Sequence, residues 1–116
     1  MKYVCLGYLE PEKFEGMGEG ERNAVLDRCF DHNDYLRTNR HLVAEMPLQS
    51  PETAVTLHWK NGKVATTDGL YADTKEQLEG LQILGARDLN HAIQLVSQLP
   101  GFSMGLDRLR FGRLRI

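Results

Sequence analysis

The sequence predicts a small α+β domain in which two helices pack on one face of an antiparallel sheet. Two segments repeat apolar residues at three- and four-residue steps, the period of an amphipathic helix. Four short segments are rich in strand-forming residues, and one Asn-Gly pair separates two more. With 116 residues and 41% hydrophobic content, the chain has the size of one domain with a single core. Residues 1–116 are therefore interpreted as one domain.

The first half of the chain predicts a strand, a helix and an edge strand. Residues 2–8 are rich in strand-forming types, and the acidic, glycine-rich segment that follows predicts a surface loop. Residues 19–39 predict a helix, because their apolar positions share one face: Val25, Leu26, Cys29, Phe30 and Leu36. Residues 41–48 predict a strand, and Pro47, which cannot donate to a ladder, places it at an edge or at a strand end.

The second half predicts a hairpin, a strand, a helix and a last strand. Asn61-Gly62 supplies the positive φ angles of a two-residue turn between two β-rich runs. Residues 80–86 predict a strand, and Asp88 then caps a helix that ends at Pro100-Gly101. Residues 109–116 predict the closing strand. Without the hairpin the order is βαββαβ, the split arrangement of ferredoxin-like folds, which leaves one sheet face uncovered and so predicts a homodimer.

Composition excludes several classes of function. The net charge of -2 gives no general attraction to nucleic acid or anionic lipid, and no segment approaches the roughly 20 apolar residues of a membrane span. The arginines near the end alternate with apolar residues, as on the wet face of a strand. Cys5 and Cys29 lie in apolar segments without metal-binding spacing, which predicts reduced thiols and a cytoplasmic protein. The histidine spacings match no metal motif, so we expect no metal.

The segment TTDGLYADTKEQLEGL, residues 66–81, concentrates acidic, basic and hydroxyl side chains between two predicted strands. Turn formation and solvation explain such a segment, since Asp68-Gly69 suits a turn and loops are polar. A ligand site explains it equally well, because long links in small domains are often functional and the polar groups are those that a small-molecule pocket needs. The residues that would contact a ligand are Gly69, Tyr71, Thr74, Lys75 and Glu76.

This segment also resembles a known family. Its register matches the TDGPF-A-TKE-L-G pattern of the YCII-related family, in the DGPF-domain branch, at Thr67, Asp68, Gly69, Ala72, Thr74, Lys75, Glu76, Leu78 and Gly80. Leu70 and Tyr71 replace the usual proline and phenylalanine. The resemblance extends from about Lys2 to Ile116. It implies a ferredoxin-like fold that pairs as a dimeric α/β barrel, with some relatives acting as small-molecule enzymes and some related domains accompanying sigma factors.

The resemblance and the residue chemistry together indicate His32 as a candidate general base. A family histidine of the first helix maps onto His32, whereas the family's suspected aspartate maps near Leu99, which cannot replace it. Histidine titrates near neutrality, and a helix fixes its ring. Its helical neighbours offer no carboxylate on the same face, so a partner has to come from another element. We therefore predict that His32 pairs with Asp68, which orients His32 or the substrate.

Two functions remain open from the sequence. The first is a cytoplasmic homodimer that binds a small organic molecule between the first helix, the sheet and the polar loop. As an enzyme it would perform acid–base chemistry, such as isomerisation or elimination, without metal or organic cofactor. The second is a non-catalytic regulatory or sensor protein that acts through protein contacts, in which case the polar loop is a docking surface. A fold alone does not decide between them.

Overall fold

The computed structural model describes residues 1–69 and 76–115 and confirms the α+β fold. The strands are β1 (Lys2–Leu9), β2 (Leu42–Pro47), β3 (Val55–Lys60), β4 (Lys63–Asp68), β5 (Gln77–Gly85) and β6 (Asp107–Arg113). The helices are α1 (Pro11–Glu15), α2 (Glu19–Thr38), α3 (Leu89–Ser97) and α4 (Pro100–Ser103), with a short 3₁₀ helix at Pro51–Thr53. The order agrees with a ferredoxin-like arrangement into which a hairpin, β3–β4, is inserted.

Four strands form the main sheet in the order β2-β5-β1-β6, with every neighbouring pair antiparallel. The first strand of the chain, β1, therefore lies inside the sheet, between β5 and β6. β2 is an edge strand, as Pro47 predicts, because proline cannot donate a ladder hydrogen bond. This topology brings residues from β5 and β6 together over β1.

The core lies between this sheet and α2 and α3. Cys5 and Leu84 point from the sheet into a buried cluster with Leu36 of α2 and Val96 of α3. Because side chains alternate along a strand, the residues between them point to the opposite face. That face carries Val4, Leu6, Leu81, Ile83 and Met46, and none of the described helices packs on it. The main sheet therefore has an apolar, helix-free face.

The hairpin forms a separate two-stranded sheet whose turn agrees with the prediction. Asn61 and Gly62 have φ angles of 53° and 75°, which a two-residue hairpin turn of this kind requires. Because side chains alternate along a strand, the large apolar residues of the hairpin share one side, where Trp59 lies opposite Val64. This side faces solvent. Trp59 is 73% exposed, and Val55, Leu57 and Val64 are exposed beside it. The hairpin thus adds a second uncovered apolar surface.

Two helical segments correct the sequence prediction. The glycine-rich stretch after β1 is not entirely a loop, since Pro11–Glu15 form α1 with Pro11 in the first turn, where its fixed φ favours a helix start. Pro100 likewise begins α4 instead of ending the preceding helix, which already stops at Ser97. The cap of α3 is as predicted, because Asp88 Oδ1 accepts a 2.8 Å hydrogen bond from the His91 backbone N–H.

Candidate functional site

A cavity of about 520 Å³ opens between α2 and the helix-covered face of the sheet. Its walls come from α1, α2, α4, the central strands β1 and β5, and the segment that follows β2. Most of the side chains that line it are apolar, among them Leu9, Phe14, Leu26, Phe30, Leu99 and Leu109. A volume of this size and an apolar lining are typical of pockets for small organic molecules.

The cavity explains the exposed part of the predicted apolar stripe of α2. Val25 and Leu36 are buried as expected, but Leu26 is 43% and Phe30 is 58% exposed. Both side chains line the cavity. The stripe therefore serves two purposes: part of it packs into the core, and part of it forms an open apolar wall.

Glu79 enters the cavity from an irregularity in β5. Gly7 of β1 lies opposite Gly80, whereas Tyr8 lies opposite Leu78, so Glu79 is the additional residue of a β-bulge. Bulges turn a side chain away from the regular alternation of a strand. A Cβ atom on Gly7 would lie 3.4 Å from Glu79 Oε1, which places the carboxyl group over the central strand.

Asp107 reaches the same place from the other side of β1. It is the first residue of β6 and lies opposite Leu9. A Cβ atom on Gly101 of α4 would overlap Asp107 Oδ2 and lie 3.0 Å from its Cγ. The two acids therefore approach each other from the strands that flank β1, and their side chains share a hydrogen bond. Asp107 can occupy this position because Gly101 lacks a side chain.

The environment of this pair favours a retained proton. Burial raises the pKa of the Glu79 carboxyl to about 8, and the negative charge and hydrogen bond of Asp107 act in the same direction. Burial also raises the pKa of Asp107, while the hydrogen bond with Glu79 opposes that increase. Two close carboxyls cannot both ionise easily. Near neutral pH, Glu79 therefore keeps its proton and shares it with Asp107 through this hydrogen bond.

Cys29 of α2 lines the cavity beside the two acids. Burial raises the pKa of its thiol, an effect that the backbone N–H of Gly101 opposes and the negative charges of Asp107 and Glu79 reinforce. The thiol is therefore protonated at neutral pH, which makes it a weak nucleophile. Cys5 also lines the cavity, and burial raises the pKa of its thiol to about 11.

His32 lies at the contact between α2 and α3. Its Nε2–H donates a 2.9 Å hydrogen bond to the Leu95 carbonyl oxygen, and its ring stacks on Tyr35 at a centroid distance of 6.3 Å. His32 is not among the described residues that line the cavity. The His32 ring is thus held in a fixed orientation, as the sequence suggests. It points toward α3 and not into the cavity.

The predicted partners of His32 lie in the hairpin and around the polar loop. Asp68 ends β4, is exposed and lies opposite Val55, in a sheet separate from the one that carries α2. Gly69 has a φ of 84° and donates a 2.8 Å hydrogen bond to Ala54 O, which closes the base of the hairpin. Glu76 forms an ion pair with Arg108 at 3.2 Å. Tyr71, Thr74 and Lys75 lie outside the described residues, so their ligand contacts remain predictions. The pairing of His32 with Asp68 also remains a prediction.

Neither Glu79 nor Asp107 is among the site residues predicted from the sequence. One signal was present, because each is an acidic residue inside or at the start of an apolar strand, in QLEGLQIL and GLDRLRF. A charge at such a position is usually paired or functional. The bulge and the position of β1 between β5 and β6, which bring the two carboxyls together, are not visible in the sequence.

A solved structure shares this fold. It is 5-chloro-2-hydroxyhydroquinone dehydrochlorinase (TftG) from Burkholderia phenoliruptrix AC1100, in complex with 2,5-dihydroxybenzoquinone. The TM-score is 0.54, with 16% sequence identity over 99% of this chain and 94% of that chain. Identity at this level supports a common fold, whereas the reaction has to be argued from the site.

Sequence comparison assigns the chain to a family. No curated protein sequence matches it. The YCII-related domain matches residues 1–110, which include the hairpin, Glu79, Asp107 and all of the main sheet except the end of β6. The resemblance that the polar segment suggests therefore extends over nearly the entire chain. On this match, the protein belongs to the YCII-related domain family.

Proposed function

We propose that the protein binds a small, largely apolar organic molecule in the cavity and transforms it by acid–base chemistry without metal or organic cofactor. The cavity carries this proposal, because it combines about 520 Å³ of space with apolar walls and a few polar groups. The dehydrochlorinase of the same fold binds 2,5-dihydroxybenzoquinone, a compound of suitable size. Isomerisation and elimination are the reaction types that such a site supports best.

The groups predicted from the sequence give one assignment of this chemistry. In it, His32 is the base and Asp68 orients it, with ligand contacts from Gly69, Tyr71, Thr74, Lys75 and Glu76. The obstacle to this assignment is the position of His32, which does not line the described cavity. Its Nε2–H donates to Leu95 O, so Nδ1 is the nitrogen that can accept a proton. A His32→Ala variant tests it directly, because a ligand that stabilises this variant and the wild type equally removes His32 from the site.

Ligand binding in the cavity is tested by thermal shift with a defined set of probes. The set contains 2,5-dihydroxybenzoquinone and the ketones cyclohexanone, 2-indanone and α-tetralone. We expect at least one probe to raise the melting temperature of the wild type. Leu26→Trp, which fills the mouth of the cavity, should abolish the increase, because its side chain occupies the space of the ligand.

The matched control is Leu89→Trp on α3. Leu89 is exposed to a similar extent as Leu26 and does not line the described cavity. The control variant should therefore retain the full ligand response. If no probe changes the melting temperature of the wild type, or if both tryptophan variants respond equally, the cavity is not the binding site.

We also propose that the protein works as a homodimer in the cytoplasm. The helix-free face of the main sheet supports the dimer, since contiguous apolar faces are commonly covered by another chain. Cys5 and Cys29 are free thiols, a state that a reducing compartment maintains. Within the described residues, no helix is long and apolar enough to cross a membrane.

A regulatory role through protein contacts is the alternative, and one observation favours it. The hairpin exposes an apolar side formed by Val55, Leu57, Trp59 and Val64. Exposed apolar patches of this kind are frequent at protein–protein interfaces. A protein that acts only through such contacts does not require an occupied cavity, so the absence of any ligand response would favour this alternative. Ligand binding without turnover would favour a sensor.

A further inference from the structure

Glu79 and Asp107 are an unfavourable arrangement for stability alone. Both carboxyls are largely removed from water and face each other, and burial raises the pKa of each. Replacing buried polar pairs with apolar residues is often neutral or stabilising. Side chains that contradict the local rules of folding tend to occur at functional sites. The pair also lies on the wall of the cavity, where a ligand would contact it.

Two separate features of the backbone bring these carboxyls together. The bulge in β5 turns Glu79 toward β1, and Gly101 leaves space beside Asp107. A Cβ atom at Gly101 would overlap the Asp107 carboxylate. Such an arrangement holds the two groups in a fixed relative position, which acid–base catalysis requires.

We propose that Glu79 and Asp107 are a catalytic acid–base pair for a small uncharged carbonyl compound, a role that rests on the proposed ligand binding in the cavity. Glu79 is the acid that protonates the carbonyl oxygen. Asp107 is the base that removes a proton from the adjacent carbon. Gly101 is a positioning residue that allows Asp107 to reach Glu79.

The proton transfer is balanced without any other reactant. The Asp107 carboxylate takes a proton from the carbon next to the carbonyl, and the electrons of that C–H bond form a C=C bond. The carbonyl π electrons move to oxygen, which receives the Glu79 proton, so the product is an enol. Asp107 is now protonated and Glu79 ionised. Asp107 then returns a proton to carbon and Glu79 takes back the enol proton, so both groups are regenerated. Return to the same carbon gives exchange with solvent, and delivery to a different carbon of a conjugated dienol gives an isomerisation.

The charge of the cavity favours an uncharged substrate over a carboxylate. Among the described residues that line the cavity there is no lysine, arginine or histidine, whereas Glu15 and Glu45 lie there in addition to the pair. Glu45 is neutralised by an ion pair with Arg37 at 3.3 Å, so the excess negative charge comes from Glu15 and the pair. An anionic substrate would have no positive partner and would be repelled. A ketone offers an oxygen acceptor to the Glu79 O–H, while its apolar body contacts the surrounding leucine and phenylalanine side chains.

Deuterium exchange of a ketone provides the test, with 2-indanone, cyclohexanone and α-tetralone as probes. The protein is incubated with each probe in D₂O, and loss of the proton signal next to the carbonyl is followed by NMR. Binding is measured in the same samples from the line broadening of the probe. We expect the wild type to accelerate exchange at least about tenfold over buffer, since a positioned acid or base contributes about 10²–10⁴-fold.

Conservative variants test whether Glu79 and Asp107 cause the faster deuterium exchange. Glu79→Gln and Asp107→Asn keep the shape of the side chains and should each reduce exchange to near the buffer rate, although probe binding persists. Gly101→Ala should reduce exchange by displacing Asp107, whereas Gly20→Ala, where a Cβ meets no atom within 4 Å, should not. Circular dichroism and urea unfolding establish that each variant is folded, and the two acid variants test the pair independently.

The outcomes separate this inference from the proposed function. A wild-type protein that binds a ketone but exchanges its protons at the buffer rate overturns the acid–base role and leaves the cavity as a binding site. Full exchange activity in Glu79→Gln and Asp107→Asn, together with loss in His32→Ala, overturns the pair in favour of the histidine. Absence of binding by all three ketones overturns this inference. The proposed function is contradicted as well only if 2,5-dihydroxybenzoquinone also fails to bind.

Discussion

At the scale of single residues, Glu79 shows how burial gives an ordinary side chain an unusual charge state. A glutamate in water is ionised at neutral pH, but Glu79 lies over Gly7 beside Asp107, where its ionised form would be poorly solvated. The raised pKa of Glu79 also affects the stability of the folded protein. A group that holds a proton only in the folded state makes the free energy of unfolding depend on pH.

The free energy of unfolding should decrease as pH rises from about 4.5 to about 8. In the unfolded chain the Glu79 carboxyl titrates near its ordinary value of 4.5, whereas burial raises the pKa in the folded protein to about 8. The protonated Glu79 carboxyl therefore contributes its full stabilisation at pH values below its pKa in the unfolded chain. This contribution is lost as the pH rises to its pKa in the folded protein. Urea unfolding at pH 5.5 and pH 8.5 measures this loss, for which we expect on the order of 1 kcal/mol because solvent partly screens the pair.

Glu79→Gln should remove most of this pH dependence, because glutamine keeps a hydrogen-bond donor and does not ionise. At pH 8.5 the variant should be more stable than the wild type. Glu12→Gln, a change at an exposed position of α1, is the control and should leave the slope unchanged. An equal decrease in stability in Glu79→Gln and in the wild type would show that Glu79 is not the group responsible.

At the scale of secondary-structure elements, His32 connects two helices that have no other described side-chain hydrogen bond between them. Its ring donates to the carbonyl oxygen of Leu95, in the last turn of α3, where helical carbonyls lack intrahelical partners. The bond is partly buried. This position gives His32 a stabilising role that is independent of any catalysis.

His32→Ala should lower the free energy of unfolding by about 1 kcal/mol, the typical contribution of a hydrogen bond whose partner is left without a donor. Chemical denaturation with urea measures the change. Asp31→Ala, at the neighbouring exposed position of α2, serves as the control and should have little effect. Equal stability of His32→Ala and the wild type would contradict the structural role.

The elements show which parts of the fold follow from local sequence. Asn61-Gly62 and Asp88 act through their own backbone neighbours, so the hairpin turn and the cap of α3 were predicted correctly. α1 and α4 were missed because each is a single short turn that begins at a proline, without a repeated apolar pattern. Glu79 and Asp107 are 28 positions apart in the sequence and meet only through the pairing of β5 and β6 with β1.

At the scale of the whole molecule, the chain exposes more surface than a compact monomer. Its accessible surface is 8258 Å², whereas a folded monomer of 13.2 kDa is expected to expose about 6,400 Å². The radius of gyration of 15.8 Å also exceeds the roughly 13 Å expected for this length. The molecule is flat, with extents of 48 × 41 × 18 Å. The excess of about 1,800 Å² exceeds the roughly 800 Å² that each partner buries in a standard interface.

We expect the wild-type protein to be a dimer that joins two copies through the helix-free face of the main sheet. Leu6 lies on that face in the central strand β1, so Leu6→Glu would bury two charges in the interface and should produce a monomer. Met104→Glu, at an exposed apolar position beside α4, is the matched control and should remain dimeric. Light scattering at micromolar concentration measures the mass. A wild-type mass equal to one chain, or a dimeric Leu6→Glu variant, would contradict this interface.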